Sequence, residues 1–236
     1  MADAALTTGG RPTGLRGVAA DWASDQRAFK SASWGKAMMW IFLLSDTFIF
    51  SCFLLSYMTV RMSTTVPWPD PSMVFGLEIG GASLPLLLIA IMTFILISSS
   101  GTMALAVNFG YRRDRKRTAA LMLLTAAFGA TFVGMQALEW TKLILAGVRP
   151  WGNPWGAEQF GSAFFMITGF HGTHVTIGVI FLLWTSRKVW RGDFDRGTRG
   201  FFTGRKGQYE IVEILGLYWH FVDLVWVFIF ALFYLW

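Results

Sequence analysis

Five long apolar runs dominate this chain of 236 residues. They fall at about Lys36–Arg61, Leu84–Asn108, Thr118–Leu145, Ser162–Ser186 and Glu210–Trp236. Each exceeds the roughly 20 residues needed to cross the hydrocarbon core of a bilayer. Hydrocarbon offers no partner to a peptide N–H or C=O, and an open strand cannot satisfy its backbone there, so each run must be helical. Composition agrees: 14% of residues are charged and 54% hydrophobic, against roughly 25% charged in soluble domains. The expected fold is all-α, an integral membrane bundle of five transmembrane helices, and a soluble globular domain is set aside.

Lysine and arginine orient the bundle. The segment up to Lys36, the loop Tyr111–Arg117 and the loop Arg187–Lys206 together hold 17 of them, and the opposite side holds only Arg61, Lys142 and Arg149. The positive-inside rule then places the N-terminus in the cytoplasm and the C-terminus outside. This arrangement also explains the net charge of +6 without nucleic acid as a partner. Residues 1–35 are small and polar and read as a flexible cytoplasmic tail, with a short helix near Asp21–Lys36. Residues 36–236 form the membrane domain. The outer loops T-V-P-W-P-D-P and R-P-W-G-N-P-W-G are stiff, and their Trp rings suit the headgroup layer. Cys52 is the single cysteine, so no disulfide forms within the chain. No inverted repeat of the transporter kind is visible.

Several ionisable residues lie inside these runs. At the bilayer centre such a group costs roughly 2.5–3.5 kcal/mol on insertion scales, so it faces protein or water. Asp46, about ten residues into the first run, stands near mid-membrane. It is either a proton-exchanging carboxyl or a structural one held by a neighbouring helix. Glu139 lies near the outer end of the third run, in reach of the interface and of Lys142. His171 and His174 share a face of the fourth run at i, i+3 spacing. With His220 they make three imidazoles, a number that admits a metal or haem but also fits hydrogen bonding between helices. In the last run, Glu213, His220 and Asp223 lie along one side with Gly216 and Val227, and His220 and Asp223 are spaced to pair. No P-loop, dinucleotide-binding glycine pattern, nucleophile elbow or cysteine cluster appears.

W-I-F-L-L-S-D-T-F-I-F, Q-A-L-E-W, G-F-H-G-T-H-V-T-I-G and Y-W-H-F-V-D-L-V-W occur in that order. These motifs resemble subunit III of the haem-copper terminal oxidases, in the five-helix form that lacks the first two helices of longer members. The resemblance covers about Lys36 to Trp236. It implies a subunit with no catalytic residue and no metal of its own. Its partners would be subunit I in direct contact, subunit II in the same complex, and membrane lipids. Haem and copper would sit in the catalytic partners. A bound phospholipid is implied as well, with Arg187 and Lys188 as headgroup contacts. The implied place is the bacterial cytoplasmic membrane, and the implied role is support of oxygen reduction and proton uptake.

By the same resemblance, Asp46 falls where many cytochrome c oxidases carry a carbodiimide-reactive glutamate, and its S-D setting is typical of quinol oxidases. Glu213 matches the cytochrome c oxidase pattern, which tips the expectation toward a cytochrome c donor. His171, His174, Glu139, His220 and Asp223 match family positions. Two other readings stay open: an accessory protein of nitric oxide reductase, and a haem-binding, quinol-linked membrane anchor.

Overall fold

The computed structural model describes residues 34–79, 82–84, 86–194 and 209–236. Most of the N-terminal tail and the basic residues Arg196, Arg199, Arg205 and Lys206 lie outside that range. The elements are α1 (Trp34–Ser63), a short α2 (Pro71–Val74), strands β1 (Leu77–Ile79) and β2 (Ala82–Leu84), α3 (Leu87–Tyr111), α4 (Arg115–Leu145), α5 (Gln159–Arg191) and α6 (Glu210–Phe230). A π-helical turn, Ala231–Leu235, continues α6. Five of these helices, α1 and α3–α6, are long and apolar enough to cross a membrane.

The second span begins at Leu87 rather than Leu84, because Ala82–Leu84 pairs antiparallel with Leu77–Ile79 in the register Leu77↔Leu84. Gly80-Gly81 between two three-residue runs is a hairpin signal. The apolar character of Leu84 onward masks it. At the other end of α3 the chain reverses in three residues. Arg113 takes a left-handed φ of 59°, and the Asp114 side chain accepts from the Arg117 N–H at 3.2 Å, capping α4. Gly192, at φ 75°, closes α5 in the left-handed conformation that glycine adopts without strain.

α6 is the helix around which the others are arranged. Trp219 and Trp226 are both fully buried, two turns apart on one side of it. The Trp219 indole donates to Ser99 Oγ on α3 at 2.9 Å. Its six-membered ring occupies the space where Gly129 on α4 and Gly178 on α5 lack side chains. A Cβ at either glycine would stand 2.5 Å and 2.8 Å from that ring. Trp226 donates to Thr93 Oγ1 on α3 at 3.0 Å and meets Phe132 on α4 edge-on, with ring centroids 4.6 Å apart. Two indoles therefore hold four helices together. Each buries a large apolar area while its N–H finds a hydroxyl.

α1 runs parallel to α6. Near its start Lys36 meets Glu213 at 2.6 Å, and near its far end Tyr57 Oη donates to the Leu232 carbonyl at 3.2 Å. Trp68 is half-buried in its loop. It packs edge-on against Tyr57 and Phe160, with centroids 5.6 Å and 5.8 Å away. Trp151 does stay exposed.

Candidate functional site

The intramembrane polar residues form three separate clusters. The first joins α1 to α5. Asp46 is buried, and its Oδ2 lies 3.5 Å from His174 Nε2. That is an ion-pair separation rather than a well-formed hydrogen bond. His174 Nδ1 lies 2.8 Å from the Phe170 carbonyl. A carbonyl only accepts, so Nδ1 carries the hydrogen and Nε2 faces the carboxyl with its remaining site. A proton on either the Asp46 carboxyl or His174 Nε2 would make the pair neutral overall; without one, the carboxylate would face a neutral imidazole.

His171, one turn earlier on α5, does not join this pair. It is buried, and neither ring nitrogen has a hydrogen-bond partner. Its ring lies against Trp226 at 5.3 Å and meets Phe132 edge-on at 5.8 Å. His220 is elsewhere again. Its Nδ1 is 2.6 Å from Ser100 Oγ on α3. Among the described residues, no group of three His, Cys, Asp or Glu converges in a way that would hold a metal ion.

The second cluster joins α6 to α3. The expected pairing of His220 with Asp223 is not present. His220 turns to Ser100, and the enclosed Asp223 carboxyl has the same Ser100 hydroxyl as its polar neighbour. Helical spacing brings the two side chains close in register, but each meets Ser100 rather than the other. The polar stripe expected on this helix is likewise split. Gly216 and Asp223 turn inward, His220 is half-buried, and Val227 is exposed at 42%. Glu213 leaves the stripe for Lys36.

The third cluster closes the outer end. Glu139 does not reach the interface. It is 3% exposed, accepting from Gln136 Nε2 at 2.7 Å and from Tyr234 Oη at 3.2 Å. Lys142 is engaged elsewhere and donates to the Gly76 carbonyl at 3.1 Å. Tyr234 belongs to the π-helical turn and is buried. Near the inner end of α5, Arg187 is exposed and Lys188 half-buried, with the Lys188 Nζ 3.7 Å above the Trp184 ring. Ser100, Gln136, Tyr234 and Lys36 escaped the sequence reading. A serine, a tyrosine or a span-end lysine is ordinary in such a chain, and only the fold reveals what it faces.

A family profile described as "Cytochrome c oxidase subunit III" matches residues 26–236. The chain belongs to this family. Among its relatives is "Probable quinol oxidase subunit 3" of Staphylococcus epidermidis, 31% identical over 202 residues, covering 85% of this chain and 88% of the relative. "Cytochrome bo(3) ubiquinol oxidase subunit 3" of Pseudomonas aeruginosa is 30% identical over 196 residues, covering 83% and 82%. "Probable quinol oxidase subunit 3" of Staphylococcus aureus is 29% identical over 201 residues, covering 85% and 88%.

The chain is thus a subunit III of the haem-copper oxidases, a component of a respiratory oxidase complex. The names of these relatives lean against the cytochrome c donor expected from Glu213. Glu213 itself is the ion-pair partner of Lys36 and ties α6 to α1.

Proposed function

We propose that this chain is the non-catalytic third subunit of a quinol-oxidising haem-copper oxidase in the bacterial cytoplasmic membrane. Subunit I would lie in direct contact with it and subunit II in the same complex, and these catalytic partners would hold the haem and copper. The observation that carries this reading is the family match over residues 26–236, joined by relatives named for quinol oxidases. The basic loops support an N-terminus in the cytoplasm and a C-terminus outside.

Within the complex, the chain's contribution is a rigid polar interior rather than a reacting centre. The Asp46–His174 pair supports a proton-exchanging role, because a proton can pass between its two groups without changing the pair's net charge in the membrane. Arg187 and Lys188 suit phospholipid headgroups at the inner surface. A cavity of about 470 Å³ lined by Met39, Phe42, His174, Trp184, Ile214 and Tyr218 supports the same reading, since it could hold an acyl chain beside them.

Purification through a tag on this chain tests the proposal. Haem-bearing subunits should accompany it, and oxygen consumption should run at least tenfold faster on quinol than on reduced cytochrome c. A preparation without haem, or one preferring cytochrome c, overturns the reading. Asp46→Ala should slow proton uptake and hasten the loss of activity during turnover. Unchanged behaviour in both leaves Asp46 structural.

A further inference from the structure

We propose that the turn joining α3 to α4 binds an anionic phospholipid of the inner leaflet, with Arg112, Arg113 and Lys116 as its phosphate contacts. The site draws on neither Arg187 nor Lys188. It rests on the spans and their orientation, and not on which oxidase the chain serves.

Charge concentrates at this turn. Residues 112–117 read R-R-D-R-K-R, five cations and one carboxylate, and all five cations are exposed. Asp114 is committed inward: it accepts from the Arg117 N–H at 3.2 Å and lies 3.3 Å from Arg117 Nε. Among the described residues, no carboxylate pairs with Arg112, Arg113, Arg115 or Lys116. The turn lies where one span ends and the next begins, so these groups stand at the depth of headgroups. Tyr111, exposed at 66% beside them, suits the same layer. A cluster of roughly four to eight Lys and Arg directly cytoplasmic of a span is the mark of acidic-lipid recognition. An acidic protein surface would meet the same charge, but a turn level with the membrane surface favours lipid.

Orientation in the membrane explains the sign of this charge but not its placement. Arg113 holds a left-handed φ of 59°, a conformation that strains a residue with a Cβ and that glycine or asparagine takes more easily. Arg115, Lys116 and Arg117 occupy the first turn of α4, which holds no acid, although the start of a helix favours negative charge. Orientation would be served as well by cations anywhere in the loop. Cations kept where they disfavour this chain's own fold are matched by an anion outside it. Two of the guanidiniums are also ordered in advance. Those of Arg112 and Arg117, from either side of the turn, lie 5.7 Å and 5.2 Å from the Phe109 ring. A guanidinium offers phosphate oxygens two parallel donors.

The test places a photo-crosslinking residue at Asn108, exposed on α3 one turn before Arg112. The complex purified through this chain is reconstituted in vesicles of phosphatidylcholine with a minor share of phosphatidylglycerol. Adducts at Asn108 should be enriched in phosphatidylglycerol at least fivefold over the bulk, since each cation near an acidic surface favours association by a factor of roughly five. The same crosslinker at Leu138, exposed at 63% toward the outer end of α4, should report the bulk composition. Combining Arg112→Gln, Arg113→Gln and Lys116→Gln should bring the Asn108 adducts to the bulk composition. Three of 17 inner cations are lost, so the orientation holds. Arg113→Asn alone should weaken the enrichment and raise the unfolding temperature, because it removes strain and charge together. No enrichment in the wild-type chain, enrichment that survives the triple change, or protein adducts at Asn108 in place of lipid overturns the assignment. None of these results touches the subunit III reading, which fails only if no haem-copper subunit accompanies the chain.

Discussion

Lys36 Nζ stands 2.6 Å from Glu213 Oε1, tying the start of the first span to the start of the last across 177 positions of sequence. Both side chains are about three-quarters shielded, so the contact is neither a free surface pair nor a fully desolvated one. Lys36→Ala should lower stability by about 1–2 kcal/mol. The exchange Lys36→Glu with Glu213→Lys should recover part of what either single reversal loses. Thermal unfolding of the four proteins in one detergent makes the measurement. No recovery in the double exchange means that the pair does not couple the helices.

Asp46 and His174 predict a graded response. Asp46→Asn keeps a donor facing His174 Nε2 and should cost less than about 1 kcal/mol. Asp46→Ala removes the partner and leaves a buried imidazole nitrogen alone, costing roughly 1–3 kcal/mol. Equal losses in the two variants would show that polarity at residue 46 does not matter to the bundle.

His171 makes the opposite prediction. Its two nitrogens have no hydrogen-bond partner and its ring is enclosed by Trp226, Phe132 and Phe50. His171→Phe should be neutral or stabilising, by up to about 2 kcal/mol, because it spares the desolvation of two polar atoms. A clear drop in unfolding temperature in the whole complex argues instead for a partner that another subunit provides.

Among the described residues, Tyr234 is the one aromatic hydroxyl on the Glu139 carboxyl. Tyr234→Phe should destabilise by roughly 1–3 kcal/mol, and limited proteolysis should show the outer end loosening first. Glu139→Gln, which keeps acceptor and donor sites, should be milder. A milder effect from the tyrosine change than from the glutamate change contradicts this ordering.

Two glycines on α4 separate packing from propensity. At Gly129 a Cβ would lie 2.5 Å from Trp219 and 2.7 Å from Val179, while at Gly134 it meets nothing within 4 Å. Gly129→Ala should cost about 1–3 kcal/mol through overpacking. Gly134→Ala should be neutral or gain up to about 1 kcal/mol from helix propensity. Detergent unfolding of the pair, measured side by side, checks both.

The spans were legible because hydrocarbon leaves the backbone so few choices. Asp46, Glu139 and Asp223 were legible because a carboxyl in an apolar run is conspicuous. Their partners were hidden for the reverse reason. Ser100, Tyr234 and Gln136 draw no attention in a membrane sequence, and each lies on another helix or turns inward only once packed. Spacing alone misled at His220 and Asp223, where register allows a contact that the rotamers do not make. It also misled at Glu139, which a helix diagram places near the interface and which the π-helical turn covers with Tyr234. The hairpin Leu77–Leu84 was masked by apolar residues that blend into the next span. Glu213 points toward a cytochrome c donor while the names of the relatives lean toward quinol, and its bond to Lys36 shows only in the fold.

The indole of Trp219 has an evolutionary corollary. It is received by an absent side chain on each of two helices and a hydroxyl on a third. Changing Gly129, Gly178 or Ser99 alone leaves the others fitted to a shape that no longer exists. These four sites are therefore expected to mutate in concert or not at all. A homologue with a smaller residue in place of the tryptophan should carry bulk at one or both glycine positions. Chimaeras that swap single helices between such homologues should fail at this point, while swaps of the whole bundle should assemble.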